Sequence, residues 1–144
     1  MKASSVFKDG ELIPLKFTCK GENINPRFEL SDTPKDAKSI AVIMDDPDAP
    51  IGTFVHWVVW NIPISKQIPE NARNLGADGS GTMGSLGYHG PCPPPGFGPH
   101  RYFFKFYALD CLLELKPGSG KDGLLKAMEG HVLASAELMG RFER

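Results

Sequence analysis

Five consecutive apolar residues, Ile40 to Met44, run straight into Asp45-Asp46-Pro47-Asp48-Ala49-Pro50. An apolar run without alternation predicts a strand covered on both faces. The two prolines that follow remove ladder donors and fix φ, so the strand must stop in a shaped loop. A strand buried in this way needs neighbours, and the chain supplies two. Phe54 to Ile62 (FVHWVVWNI) is aromatic and β-branched, and Arg101 to Leu109 (RYFFKFYAL) is strongly aromatic, both of which suit strands. Strict alternation puts Phe54, His56, Val58 and Trp60 on one face and Val55, Trp57 and Val59 on the other. Counted from His100, it groups His100, Tyr102, Phe104 and Phe106 and turns Arg101, Phe103, Lys105 and Tyr107 away.

Upstream, the short runs Ser5-Val6-Phe7 and Leu15-Lys16-Phe17-Thr18 are punctuated by Asp9-Gly10 and Lys20-Gly21, a spacing that predicts short strands. Near the other end, Ser119 and Asp122 are spaced as a capping box. Leu124, Leu125 and Met128 then line one face of a helix that Gly130 would stop. Ala134, Ala136, Leu138 and Phe142 alternate with Ser135, Glu137 and Arg141, which predicts a closing strand. Between the second and third long strands, residues 76 to 99 hold half of the 16 glycines. Pro93-Pro94-Pro95 stiffens the later part, whereas Gly76 to Gly87 has no such brace and is expected to be mobile.

Lys and Arg number 16 against 17 Asp and Glu, a net charge of −1. That balance excludes a general electrostatic role on nucleic acid or anionic membrane, so an anion must be captured by a few convergent groups. The opening MKASSVFKDGELIPLKF lacks the apolar run of a signal peptide. No stretch approaches the roughly 20 apolar residues of a span, so neither membrane insertion nor export is expected and the location is read as cytoplasmic. With 144 residues and no low-complexity linker, the chain reads as one domain, 1–144. Cys19, Cys92 and Cys111 are odd in number and form no CxxC, which predicts free thiols without an intramolecular disulfide. No HxH or HExxH occurs, so no metal or other cofactor is expected.

Chemistry converges at one end of the predicted strands. Asp46 ends the first, His56 lies on the second, and His100 and Tyr102 open the third. Imidazole and phenol groups donate hydrogen bonds, and glycine-rich backbone adds N–H groups that no side chain obstructs. Together they make a cradle for a small anion. Asp46 is the orienter, accepting from an imidazole N–H or from Tyr102 so that the other ring nitrogen faces the ligand. His89 and His131, beside glycines, read as solvated loop residues.

The motifs Asp46-Pro47-Asp48-Ala49-Pro50, then His56-Trp57 and Asn61-Ile62-Pro63, then Gly90-Pro91-Cys92-Pro93-Pro94 and His100-Arg101-Tyr102 resemble those of the phosphatidylethanolamine-binding proteins. Phe17-Thr18-Cys19 and Gly21-Glu22-Asn23 support the likeness, which extends over the whole chain. It points to the bacterial and archaeal branch, the one similar to Raf kinase inhibitor proteins. The resemblance implies a mainly β fold, with a central antiparallel sheet packed on smaller sheets and one or two short helices. It also implies a pocket for phosphate-like groups, formed by Asp46, Pro50, His56, His100 and Tyr102. Gly90, Cys92, Pro93 and Pro94 would form its rim and Tyr88 its edge. Arg101, turned away by strand alternation, is expected to pair with a carboxylate such as Asp48. One or both X-Pro bonds of the DPDAP loop are expected to be cis, and a homodimer, which the resemblance suggests, to suit exposed aromatics such as Trp60. The animal members' C-terminal helix, and with it their kinase partners, is not implied.

Three functions compete on these grounds. The first is a non-enzymatic binding protein for phosphate, phosphorylated headgroups or similar anions that also modulates other proteins, with the protein partner left open. The second is a protease or kinase inhibitor acting through the Gly76 to Gly87 loop. The third is a metal-assisted hydrolase using Asp46, His56 and His100, disfavoured because no metal motif and no activated nucleophile is present.

Overall fold

Eight strands and one helix make up the regular structure of residues 1–144, all of them described by the computed structural model. Strand β3 (Ser39–Asp46) is buried at every position, as its unbroken apolar run requires. It pairs antiparallel with β4 (Phe54–Ile62) on one side and with β7 (His100–Leu109) on the other. With β6 (Ala77–Asp78) beside β4 and β8 (Val132–Phe142) beside β7, the five-stranded sheet has the order β6-β4-β3-β7-β8. A smaller antiparallel sheet, in the order β1-β2-β5, joins β1 (Lys2–Ser4), β2 (Phe28–Ser31) and β5 (Gln67–Ile68).

The central sheet is buried on both faces. On one, Val42, Met44, Trp57, Phe104 and Phe106 meet Phe28, Leu30 and Ile68 of the small sheet. Phe28 is the hub, with its ring centroid 5.0 Å from those of both Phe104 and Phe106. On the opposite face, Ala41, Ile43, Val58 and Trp60 pack against Leu124 and Met128 of helix α1 (Lys121–Met128). The result is the mainly β, centrally antiparallel architecture that the resemblance implied.

Several local expectations are corrected. Leu15–Phe17 forms a 3-10 turn after Pro14, not a strand. Helix α1 is capped by Gly120 without any side-chain cap, because the Ser119 hydroxyl donates instead to Lys116 O. No peptide bond is cis. Trp60 is wholly buried beneath α1 and cannot be a contact between copies of the chain.

The Gly76 to Gly87 stretch is braced, not free. β6 pairs with Val59 and Trp60, Gly79 N–H donates to Val58 O, and Thr82 exchanges bonds with Val55 through its N–H and hydroxyl. Gly76, Gly79 and Gly81 serve close approach, whereas Gly84 and Gly87 take a left-handed φ with open space around them. A β-carbon at Gly79 would collide with Ser119 O, Trp60 and Val58.

Cys19 and Cys92 form a disulfide, with Cα atoms 5.4 Å apart. This overturns the expectation of three free thiols and leaves Cys111 as the single free cysteine. Spacing along the sequence could not show the pairing, since 73 positions separate the two. The 3-10 turn and the proline loop meet only once the sheets are assembled.

Candidate functional site

A cavity of about 530 Å³ opens at the end of the central sheet where β3 stops and β7 starts. Asp46, Pro50, His56, Gly90, Cys92, Pro93, Pro94, His100 and Tyr102 all line it, so nine of the ten expected residues surround one space. The tenth, Tyr88, does not. Its ring packs edge-on against Trp57 and its hydroxyl donates to Phe17 O at 2.7 Å. Burial pushes that phenol well above its ordinary range, so Tyr88 supports the wall from behind.

His56 reaches the cavity through an irregularity in its strand. Met44 pairs with Trp57 while Asp45 pairs with Val55, which leaves His56 as an extra residue. A bulge of this kind turns two successive side chains towards the same face. His56 and Trp57 therefore both lie on the small-sheet face, whereas Val55, Val58 and Trp60 pack on the helix side. Strict alternation had placed His56 with Val58 and Trp60, and that grouping is wrong. The imidazole sits 5.3 Å from the Tyr102 ring and 4.7 Å from the Phe54 ring, centroid to centroid.

Two anchors, one carboxylate and one backbone carbonyl, set the imidazoles. His100 Nδ1 donates to Asp46 Oδ2 at 2.7 Å, and both side chains are more than nine-tenths buried. The second Asp46 oxygen accepts the N–H of Asp48 at 2.7 Å, so one carboxylate shapes the loop and orients His100. The His56 Nδ1–H donates to His89 O at 2.7 Å, and the His89 N–H donates back to His56 O. His89 is thus a positioning residue for His56 through its backbone, and it also lines the cavity. With both Nδ1 atoms engaged, each Nε2 is the ring nitrogen left for a ligand. Burial holds the His56 pKa below its usual value, partly opposed by the bond to His89. Burial, reinforced by the Asp46 charge, pushes the Tyr102 hydroxyl up, so it stays a neutral donor.

The rim is less rich in donors than its glycines suggested. The Gly90 N–H is already committed to Asn23 Oδ1 at 2.8 Å, and Pro93 and Pro94 have no N–H. Gly90 is glycine because a side chain there would meet Phe17 O and Asn23. Arg101 points away from the cavity and clasps Asp48, with Nε and Nη2 each 2.9 Å from a carboxylate oxygen. That clasp, led by the side-chain hydrogen bond, lowers the Asp48 pKa to about 2.

Sequence reasoning missed part of the wall. Ile51 and Met83 line the cavity and are 89% and 74% exposed, giving a polar floor an apolar lip. The disulfide partner Cys19 also lines it. Arg144 Nε donates to Pro93 O at 2.7 Å, bringing a cation beside the rim and near enough to act on the Tyr102 hydroxyl. Ile51, Met83 and Arg144 lie outside the motifs, and Cys19 lies in one that carried no site assignment, so only the structure shows these neighbours.

The profile of the phosphatidylethanolamine-binding protein family matches residues 3–143, and the chain belongs to that family. A UPF0098 protein of Pyrococcus horikoshii is 49% identical, with the alignment covering 100% of this chain and 77% of that protein. The crystal structure of a phosphatidylethanolamine-binding protein homologue from Chlamydia trachomatis superposes with a TM-score of 0.94 at 41% identity, covering 99% and 97% of the two chains. YbcL of Escherichia coli, described as a member of the mammalian family, gives a TM-score of 0.90 at 29% identity over 99% and 98%.

Proposed function

We propose that this chain is a non-catalytic binding protein whose cavity takes a phosphate or a phosphorylated headgroup and which acts on other proteins through that occupancy. The observation that carries the reading is the Asp46–His100 pair. A buried carboxylate holds a buried imidazole by Nδ1, so its Nε2 is pre-oriented towards the space that Tyr102 and His56 share. The Tyr102 hydroxyl donates to the ligand directly. Each Nε2 donates only when its ring is protonated, so anion binding takes up a proton. The apolar lip of Ile51 and Met83 suits a ligand with carbon attached to the phosphate. No acid–base pair sits beside an activated nucleophile in this cavity, which favours binding over catalysis.

No helix is long and apolar enough to cross a membrane. A cytoplasmic location belongs to the same proposal and requires the Cys19–Cys92 bond to persist in a reducing compartment. Alkylating intact cells before lysis tests it, because a reduced pair would be capped.

With no Lys or Arg on the floor, binding rests on a few bonds of about 1–3 kcal/mol each. Inorganic phosphate is therefore expected to bind with a Kd on the order of 0.1–10 mM. Titration with phosphate and phosphorylethanolamine, followed by NMR, should move the ring signals of His56 and His100. Affinity should rise as pH falls into the range where His56 takes up its proton, which burial places below the ordinary histidine value of about 6.5. Sulfate, which does not titrate there, separates protein protonation from ligand protonation. His100→Ala and Tyr102→Phe should each weaken binding with the fold intact. Ring signals that stay still with both ligands would sink the reading.

A further inference from the structure

The opposite end of the central sheet holds a second group of reactive side chains. Asp110 and Cys111 follow directly on β7, and His131 immediately precedes β8. The helix and its flanking loops lie between them in sequence, yet the Asp110 N–H donates to His131 O at 3.0 Å, so the two ends are stitched together. The His131 Nδ1 and Asp110 Oδ1 atoms are 2.8 Å apart, and Cys111 is free. One ligating atom from each of the three residues lies within 4.8 Å of the others.

We propose that Asp110, Cys111 and His131 form a three-ligand site for a borderline-soft divalent ion such as Zn2+. The set joins a thiolate, an imidazole and a carboxylate, a donor mixture that favours transition ions over Mg2+ or Ca2+. Around tetrahedral zinc, bond lengths of about 2.0–2.3 Å place neighbouring donors roughly 3.4–3.6 Å apart. Binding opens the 2.8 Å His131–Asp110 hydrogen bond and gathers donors that already lie within 4.8 Å of one another. The His131 and Asp110 side chains are 45% and 42% exposed, so they can turn and a water can fill the fourth position. On binding, the Cys111 thiol gives its proton to solvent and its sulfur to the metal. The bound ion would clamp the two ends of the segment that carries α1. An Asp-Cys pair and a histidine twenty positions later match no ligand-spacing motif, so the sequence gives no sign of the site.

The disulfide makes the test clean. With Cys19 and Cys92 bonded to each other, any metal–thiolate signal in the unreduced protein must come from Cys111. Co2+ added to the full, unreduced chain should produce a saturable near-ultraviolet thiolate charge-transfer band at one equivalent, and Zn2+ should abolish it. Cys111→Ser should lose the band while His56 and His100 ring signals stay in place. His131→Ala should weaken cobalt binding by at least the roughly 10–100-fold typical of losing even a supporting group. Added Zn2+ should raise the melting temperature of the wild-type chain but not of Cys111→Ser. No saturable band, a band that survives Cys111→Ser, or affinity unchanged in His131→Ala would overturn the proposal. Any of these results would leave the Asp110–His131 pair as a hydrogen bond that merely closes the loop.

Discussion

His56 combines burial, a backbone anchor and a ligand-facing nitrogen in one ring, and its titration therefore links folding to binding. Its pKa lies below the usual value because burial penalises the charged ring. Between the lowered folded pKa and the unfolded value near 6.5, the unfolded chain binds more protons. Stability contributed by His56 is thus fully present above about pH 6.5 and is lost as pH falls towards the folded pKa. An anion that binds the protonated ring should offset that loss. Melting temperatures measured from pH 8 to pH 5 should fall less steeply in His56→Gln than in the wild-type chain. Sulfate should flatten the wild-type curve and leave the variant's nearly unchanged. A pH slope identical in both proteins would remove His56 from the linkage. Asp46 works differently, because its two oxygens hold a ring and a loop at once. Asp46→Ala should weaken phosphate binding and also destabilise the chain by about 2–4 kcal/mol, as expected when a buried charged partner is lost. Urea unfolding of the variant measures that cost separately from its binding defect.

Strand β4 shows how an element positions a site. It pairs with β3 through two register shifts, one at His56 and one between Val59 and Ile62. At the second, Asn61 takes a left-handed φ of 56°, and its side chain bonds both the N–H and the C=O of Leu113. Asn tolerates that backbone better than most residues. Asn61→Ala should cost about 2–3 kcal/mol from lost bonds and backbone strain together. Asn61→Gly, which relieves the strain alone, should cost less. Equal costs in urea unfolding would mean that the strain is negligible. The same strand marks the limit of what the sequence reveals. β3, β7, α1 and β8 were legible because each keeps one pattern for a full element, and β4 because it is aromatic and β-branched throughout. The bulge was not, since FVHWVVWNI alternates acceptably in either register and only pairing with Met44 and Asp45 decides it. Gly76 to Gly87 misled for a related reason, as glycine chosen for close approach to β4 looks the same as glycine chosen for freedom. Nine cavity-lining residues were legible from motif resemblance, whereas Ile51, Met83 and Arg144 reach the cavity from outside the motifs and Cys19 comes from a motif that named no pocket residue.

At the scale of the whole molecule, the cavity is assembled from parts far apart in the chain, and one covalent bond spans them. The 3-10 turn near Phe17 and the segment to Asn23 form a strut under the proline loop. Asn23 accepts from Gly90, Cys19 N–H donates to Pro91 O, and the disulfide joins Cys19 to Cys92. We also propose a homodimer, whose contact lies away from the buried Trp60. Light scattering at the 15.7 kDa of a single chain over a wide concentration range would exclude it. The disulfide itself makes a sharper statement. Closing a loop of 73 residues removes unfolded-state entropy worth about 4 kcal/mol in the chain-entropy account, with about 2–4 kcal/mol usual in practice. Alkylation of the unreduced, denatured chain should label one cysteine, Cys111, and alkylation after reduction should label three. The Cys19→Ser/Cys92→Ser double variant should unfold at lower urea by that amount. It should also bind phosphate more weakly, because the strut no longer fixes the rim carrying Gly90, Pro93 and Pro94. Stability that falls while phosphate affinity stays at the wild-type value would show that the bond serves the fold alone. In that case the Asn23–Gly90 and Cys19–Pro91 hydrogen bonds hold the rim unaided.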